Sequence, residues 1–461
     1  MSPFDVRPVG IPQSGWLFAV ALLLTFVPGS VTGQRPVRLS NDSTSDETIR
    51  RCLANSAGQI PRWTDTEPYA AVDPRDANRV IAVWQTGSGT GSVIQWSRST
   101  DGGRSWSAPR AAPINACAGG PVARAVRASD PWATFGPDGR VYLSAIAWTP
   151  NPGDGPDLVS ALVMVASPDG GGRWEPPVAI TLAPDPTIAH DNLALTADPT
   201  RPGTVYAATT RAETPDSITY YGRLGFTRSS DGGRSWSPIR PISPAANRER
   251  IGAPQIVVDG RSGRLYAVYH RRTRGGSSVA VMSSDDGGES WSSESVAAPH
   301  IAGERPTSPV TNDRFILADD IVQAVVTPAG QLVIAYSDAR RSPGQRHDIS
   351  LVWSADGRNW SPPLAVSDSG TETAWLPAVT SSADGNVAVS YFAADFSKRE
   401  SGTRVLLQRF RPSPSGFTRF ERIELDRPSF AWPGDYQSLV TGSRGPLAVY
   451  GRDDDIYARL R

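Results

Sequence analysis

Five stretches of the chain carry nearly the same words: Ser99–Trp106 (STDGGRSW), Ser167–Trp174 (SPDGGGRW), Ser229–Trp236 (SSDGGRSW), Ser284–Trp291 (SDDGGESW) and Ser354–Trp360 (SADGRNW), the last shorter by one residue. In the pattern Ser-x-Asp-Gly-Gly-x-x-Trp the Asp side chain bonds forward to the backbone of its own turn. The glycines supply the positive φ of a tight hairpin, and the Trp packs beneath the loop. Successive copies lie 55 to 70 residues apart, the period of a repeat architecture in which each unit needs its neighbours to bury its faces.

Around the first copy, Pro68–Val72, Val80–Trp84, Ser92–Ser97 and the segment from Ser105 predict four strands, rich in β-branched and aromatic residues between turn signals. Later units begin near Trp132, Leu193, Gln255, Ile321, Leu376 and Tyr436. The sixth lacks the Asp turn but keeps strands at Val387–Phe392, Arg404–Phe410 and Phe417–Glu424. The seventh supplies only Tyr436–Val440, Leu447–Tyr450 and Ile456–Leu460, and Pro36–Leu39 is available for the empty place. Joining both chain ends in one blade removes the free sheet edge. The expectation is all-β: a seven-bladed β-propeller of four-stranded antiparallel blades closed by the N-terminal strand, with six blades as the alternative count.

The rest of the composition fits. The chain has 461 residues, with 43 Gly and 41 Pro, a density that argues against a helical bundle. Its 46 basic residues balance 46 acidic ones, leaving no overall field to hold nucleic acid. Residues 16–27 (WLFAVALLLTFV) are apolar, follow Arg7 and lead into small residues up to Gly33. That layout predicts a cleaved signal peptide over 1–33, a propeller over 34–461 and a secreted or periplasmic location. A run this short falls below the roughly 20 residues of a membrane span, so no integral membrane segment is expected. Cys52 and Cys117 are the only cysteines, which predicts a single disulfide and no metal site. The absence of phosphate-loop and dinucleotide fingerprints predicts no cofactor, and a monomer is favoured.

Strand order places function. Antiparallel strands put the starts of the innermost strands, the ends of the second strands and the connections between blades on one face, and the Asp turns on the other. Asp101, Asp169, Asp231, Asp286 and Asp356 are therefore expected to be structural. Glu67, Asp130, His190, Asp191, Asp319, Asp320, Trp375, Asp435 and Tyr436 head innermost strands, and Arg211, His270, Arg271, Arg340 and Arg452 follow second strands. Arg gripping a carboxylate, an acid moving a proton and an aromatic face stacking on a ring suit an acidic sugar. Both cysteines fall in blade connections on this face.

The repeats resemble the Asp-box (BNR) repeats of the sialidase superfamily of β-propellers. The resemblance implies an Arg triad, a Tyr nucleophile assisted by a Glu, and an Asp acid/base. By position, Tyr436 in GDYQSL is similar to that nucleophile, Arg271 to one triad Arg and Arg340 to another. The catalytic set is Tyr436, Asp130, Asp191, His190 and His270; the binding set is Arg271, Arg340, Arg211, Glu67, Asp320, Trp375 and Arg452. The chain departs from the family at Thr66-Glu67-Pro68, where Arg-Ile-Pro is expected, and at Val257-Val258-Asp259, where a Glu is expected. Three classes stay open: a glycosidase for acidic sugars, a lyase on a uronate polymer using His or Tyr as base, and a propeller that binds a glycan or protein without turnover.

Overall fold

The computed structural model describes residues 35–40, 64–87, 93–122, 125–148, 160–183, 187–213, 221–244, 250–368 and 370–461. Seven four-stranded antiparallel sheets follow one another along the chain, so seven is the blade count. Their innermost strands are Thr64–Asp73, Arg127–Phe135, Ile188–Ala197, Arg250–Val258, Val322–Val326, Thr373–Ser381 and Ser438–Gly442; the blades are numbered 1 to 7 in that order. The ring closes as the sequence predicts: Val37–Arg38 pairs antiparallel with Asp455–Leu460 of blade 7, Val37 opposite Ala458 and Arg38 opposite Tyr457. Leu39 is buried beside them, and Arg38 forms an ion pair with Asp455 at 2.6 Å.

The Asp turns form the network their sequence implies. In the first, the Ser99 hydroxyl donates to Asp101 Oδ1 (2.8 Å) and accepts from Gly103 N (2.8 Å), and the N–H groups of Arg104 and Ser105 donate to Asp101 Oδ1. The Trp106 indole N–H donates back to the Gly103 carbonyl. Burial works against the Asp101 charge, but the bonds from Ser105, Ser99 and Arg104 outweigh it and hold the carboxyl down at about 2. The same bonds recur around Asp169, Asp231, Asp286 and Asp356.

These turns also join blade to blade. A Cβ on Gly103 would lie 2.9 Å from Leu447 of blade 7, one on Gly233 2.1 Å from Met164 of blade 2, and one on Gly288 2.3 Å from the Phe226 ring of blade 3. The second glycine thus lets these three turns close onto the preceding blade while its φ, +89° at Gly288, stays where side chains are disfavoured. Gly288→Ala is expected to cost about 2–4 kcal/mol through the combined ring clash and backbone strain, read from urea unfolding by Trp fluorescence; a change below 0.5 kcal/mol, the usual surface range, would refute this packing role.

Candidate active site

Five of the innermost strands carry one shared irregularity near their mouth-side ends. The pairing slips between Thr66 and Tyr69, Ser129 and Trp132, Asp191 and Ala194, Gly252 and Gln255, and Trp375 and Ala378. Within these bulges Glu67, Asp130, Asn192, Ala253 and Leu376 have φ between 41° and 55°, a conformation costing about 1–3 kcal/mol for a residue with a side chain. All but Asn192 precede a proline, which restricts them further. A bulge re-aims the side chains beside it.

The result is a ring of carboxylates at the propeller mouth. Glu67 feels Asp130, Asp435 and Asp191; Asp130 feels Asp191 and Asp435; Asp320 acts on both Asp191 and Asp435. Glu67 is buried, Asp130, Asp320 and Asp435 are half-buried, and Asp191 is exposed. Burial is the largest cause of the shifts, and repulsion between the carboxylates adds to it. Glu67 is raised well above the usual range, Asp130 to about 7 and Asp435 to about 6. Asp191 is raised too, against the Asn192 N–H that donates to it (3.0 Å) and the Arg250 charge, both of which favour its ionised form. Arg305 plays that part for Asp435.

Beneath the ring aromatic side chains narrow the channel. Tyr69 and Trp132 stack with centroids 3.6 Å apart, and Tyr436 lies 6.1 Å from Trp132. Leu193, Pro254 and Ile321 line the same level, where a pocket of about 20 Å³ has room for one water and no sugar ring, and a wider cavity of about 300 Å³ opens farther along the innermost strands beside Phe135, Ala197 and Val258. A ligand therefore engages the carboxylates from above.

A family model, the BNR repeat-like domain, matches residues 70–296 and 137–389, which together make up more than half of the chain. The chain belongs to that family. The resemblance read from the Asp turns is borne out, and the BNR propeller is also similar to solved structures: a protein of unknown function from Dyadobacter fermentans DSM 18053 (14% identity, 73% of this chain and 93% of that one, TM-score 0.48); an α-L-arabinanase from Penicillium chrysogenum complexed with arabinobiose (16%, 78% and 94%, TM-score 0.48); and a leech intramolecular trans-sialidase (15%, 88% and 69%, TM-score 0.43). No curated protein matches the sequence.

The BNR propeller brings together Glu67, Asp130, Asp191, Asp320 and Tyr436 of the expected residues. Tyr436 is buried, its hydroxyl donates to the Pro131 carbonyl (3.2 Å), and burial followed by the Glu67 and Asp130 charges pushes its ionisation far up. His190 is buried beside Asp191 and is lowered to about 4, by burial first and then Arg211. The expected arginines do not form a gripping set: Arg211 pairs with Glu213, Arg271 with Glu294, Arg340 with Asp338 and Arg452 with Asp426. Trp375 corrects the sequence reading outright. It is fully buried among Phe315, Phe392 and Phe396 and offers no face to a ligand. His270 stands apart from the ring, against His300. Cys117 is disulfide-bonded, and Cys52 lies outside the described residues. Among the described residues no three His, Cys, Asp or Glu side chains gather as metal ligands. Arg250, the first residue of the fourth innermost strand, and Arg305, in the segment before the fifth, were not among the expected residues, because neither lies at the end of a second strand where the arginines were sought.

The folded state holds the Asp130 proton up to about 7, whereas the unfolded carboxyl titrates near 3.8. Folding is therefore penalised progressively as pH rises from about 4 to about 7. Asp130→Asn should melt with wild type at pH 4 and above it at pH 8 in thermal scans; melting below wild type at pH 8 would contradict the proton-holding ring.

Proposed function

We propose that this protein is a glycoside hydrolase of the two-carboxylate kind, acting on a neutral glycan at the mouth of the ring. The observation that supports it is the ring of mutually interacting carboxylates at the mouth, with unequal support for their anions. Burial and repulsion raise Glu67 well above the usual range, with a backbone N–H bond from Asp435 against them; burial raises Asp191 as well, against an N–H bond and the Arg250 charge that favour its anion. Of two carboxyls sharing a mouth, the one with more support for its anion suits the base role and the other the acid role. Glu67, seconded by Asp130, donates a proton to the leaving glycosidic oxygen, and Asp191 acts from the ring as base or nucleophile. Tyr436, with its proton held by burial and its hydroxyl bonded to Pro131, orients the floor.

The charge around the ring favours a neutral substrate over the acidic sugar expected from sequence. A sugar carboxylate would meet five acids, and the four arginines expected to receive it are engaged in ion pairs. An exported location is supported by the apolar run at 16–27 and by disulfide-bonded Cys117, since disulfides persist in oxidising compartments.

A panel of aryl glycosides, neutral, sialylated and uronic, tests the proposal. Release from a neutral member is expected, with kcat falling about 100-fold or more in Glu67→Gln and Asp191→Asn and less in Tyr436→Phe. Cleavage of sialosides alone, lost in Tyr436→Phe, would restore the sialidase mechanism. Saturable glycan binding without turnover would make the protein a binding propeller.

A further inference from the structure

Three of the four histidines meet between blades 4 and 5, outside the carboxylate ring. His270 lies within the second strand of blade 4 (Leu265–Thr273), His300 ends its outermost strand (Ser295–His300), and His347 precedes the third strand of blade 5 (Asp348–Ser354). They are 1%, 7% and 1% exposed. The His270 and His300 rings meet edge to face at 4.6 Å. Four nitrogens, His270 Nε2, both of His300 and His347 Nδ1, are buried without a hydrogen-bond partner. One bond ties the cluster to a loop: Gly303 N–H donates to His347 Nε2 at 3.1 Å.

That loop is part of the mouth rim. It leaves blade 4 at His300, is tied to blade 5 by Ala339 N–H donating to Ile301 O (2.8 Å) and Glu304 N–H donating to Gln345 O (2.8 Å), and folds back through a bridge between Thr307 and Arg314. It carries Arg305, whose charge acts on Asp435 of the ring. Beyond it Phe315 is buried against Trp375 and Phe396, an apolar anchor without a proton to lose or gain. Gly303 is needed where it stands, because a Cβ there would be 2.6 Å from His347 Nε2.

We propose that His270, His300 and His347 form an acid-released latch, which fastens residues 301–314 over the funnel while the rings are neutral and frees them when the rings take up protons. A protonated His347 presents an N–H to the Gly303 N–H, so the bond that ties the loop turns into a repulsive contact. The charges facing the cluster set how hard protonation is. Asp319 faces all three rings and favours their charged forms; Asp338 faces His300 and His347, and Asp348 faces His347. Asp338 is already committed to Arg340 and Asp348 to Arg341. Arg272 opposes charge on His270 and His300, Arg250 opposes it on His270, and the rings oppose one another. Burial is the largest effect on each and the balance is downward, to about 3 for His270 and below the ordinary value for the other two. Groups held down in the closed state stabilise it fully above the ordinary histidine value near 6.5 and lose that contribution as pH falls below it.

Hydrogen exchange by mass spectrometry on the full chain at pH 7.5 and 5.0, corrected for intrinsic rates, tests the latch. Peptides over 301–314 are expected to open about 30-fold more at pH 5.0 for each histidine that protonates on release, while the blade 6 strand Val387–Ala394 stays protected at both. His347→Gln keeps an acceptor for Gly303 N–H and cannot titrate, so it should shrink the response by about that factor; His300→Met should shrink it by a second route. Equal protection of 301–314 at both pH values, or loss of protection throughout the ring in step, would overturn the latch. If neither variant folds, the wild-type comparison decides by itself. The readout involves no turnover, so it stands or fails separately from the glycosidase assignment.

Discussion

In four of the five Asp turns a glycine sits where the preceding blade leaves no space for a Cβ, and the rest of the ring depends on that contact. Leu447, Met164, Phe226 and Tyr266 fill the positions against Gly103, Gly233, Gly288 and Gly357. Blades 1, 3, 4 and 5 are thereby docked on their predecessors by a hairpin whose Asp is fixed by Ser, backbone N–H groups and the turn itself. The seven blade interfaces must sum to a closed circle, and the strand Val37–Arg38 completes the last blade from the other end of the chain. A closed ring over-determines its own centre. That is why five side-chain-bearing residues, Glu67 and Asp130 among them, persist at positive φ on the innermost strands, where an isolated strand would relax.

Asp is used on the two faces in opposite ways, and the difference is the supply of donors. Asp101 accepts bonds from two hydroxyls and two backbone N–H groups, which overcome burial and keep it ionised at about 2. Asp130 meets burial and like charge with only the Ser129 side chain as donor, and is raised to about 7. A satisfied carboxylate stabilises a hairpin; an under-satisfied one retains a proton and has reactivity to offer. The mouth costs the fold stability, and the Asp-turn contacts on the other face supply the rigidity that tolerates it.

What was legible in the sequence was what is local and periodic. The Asp turns, the strand order, the blade count and the closure by Pro36–Leu39 follow from residue spacing, and the sorting of two faces follows from antiparallel alternation. Trp375 was misplaced because the slip between Trp375 and Ala378 shifts side chains from one face to the other, and a bulge is invisible to a period-2 pattern. The arginines were misjudged for another reason: Arg271 finds Glu294 in the outer part of its own blade, a pairing set by sheet geometry that no motif announces. The histidine cluster draws on three separate strands of two blades, so its members carry no common spacing.

Asp319 and Asp320 are consecutive, yet one faces the three histidines and the other faces Asp191 and Asp435 of the ring. The two environments are thus built on the same short turn at the head of blade 5, and acid acts on them with opposite sign. Protons taken up by the ring relieve repulsion and tighten its centre, because those carboxyls are raised on folding. Protons taken up by the histidines loosen the rim, because those rings are lowered. Between about pH 7 and pH 5 the floor of the funnel becomes firmer as its edge becomes freer, which separates access to the carboxylates from the integrity of the ring that positions them.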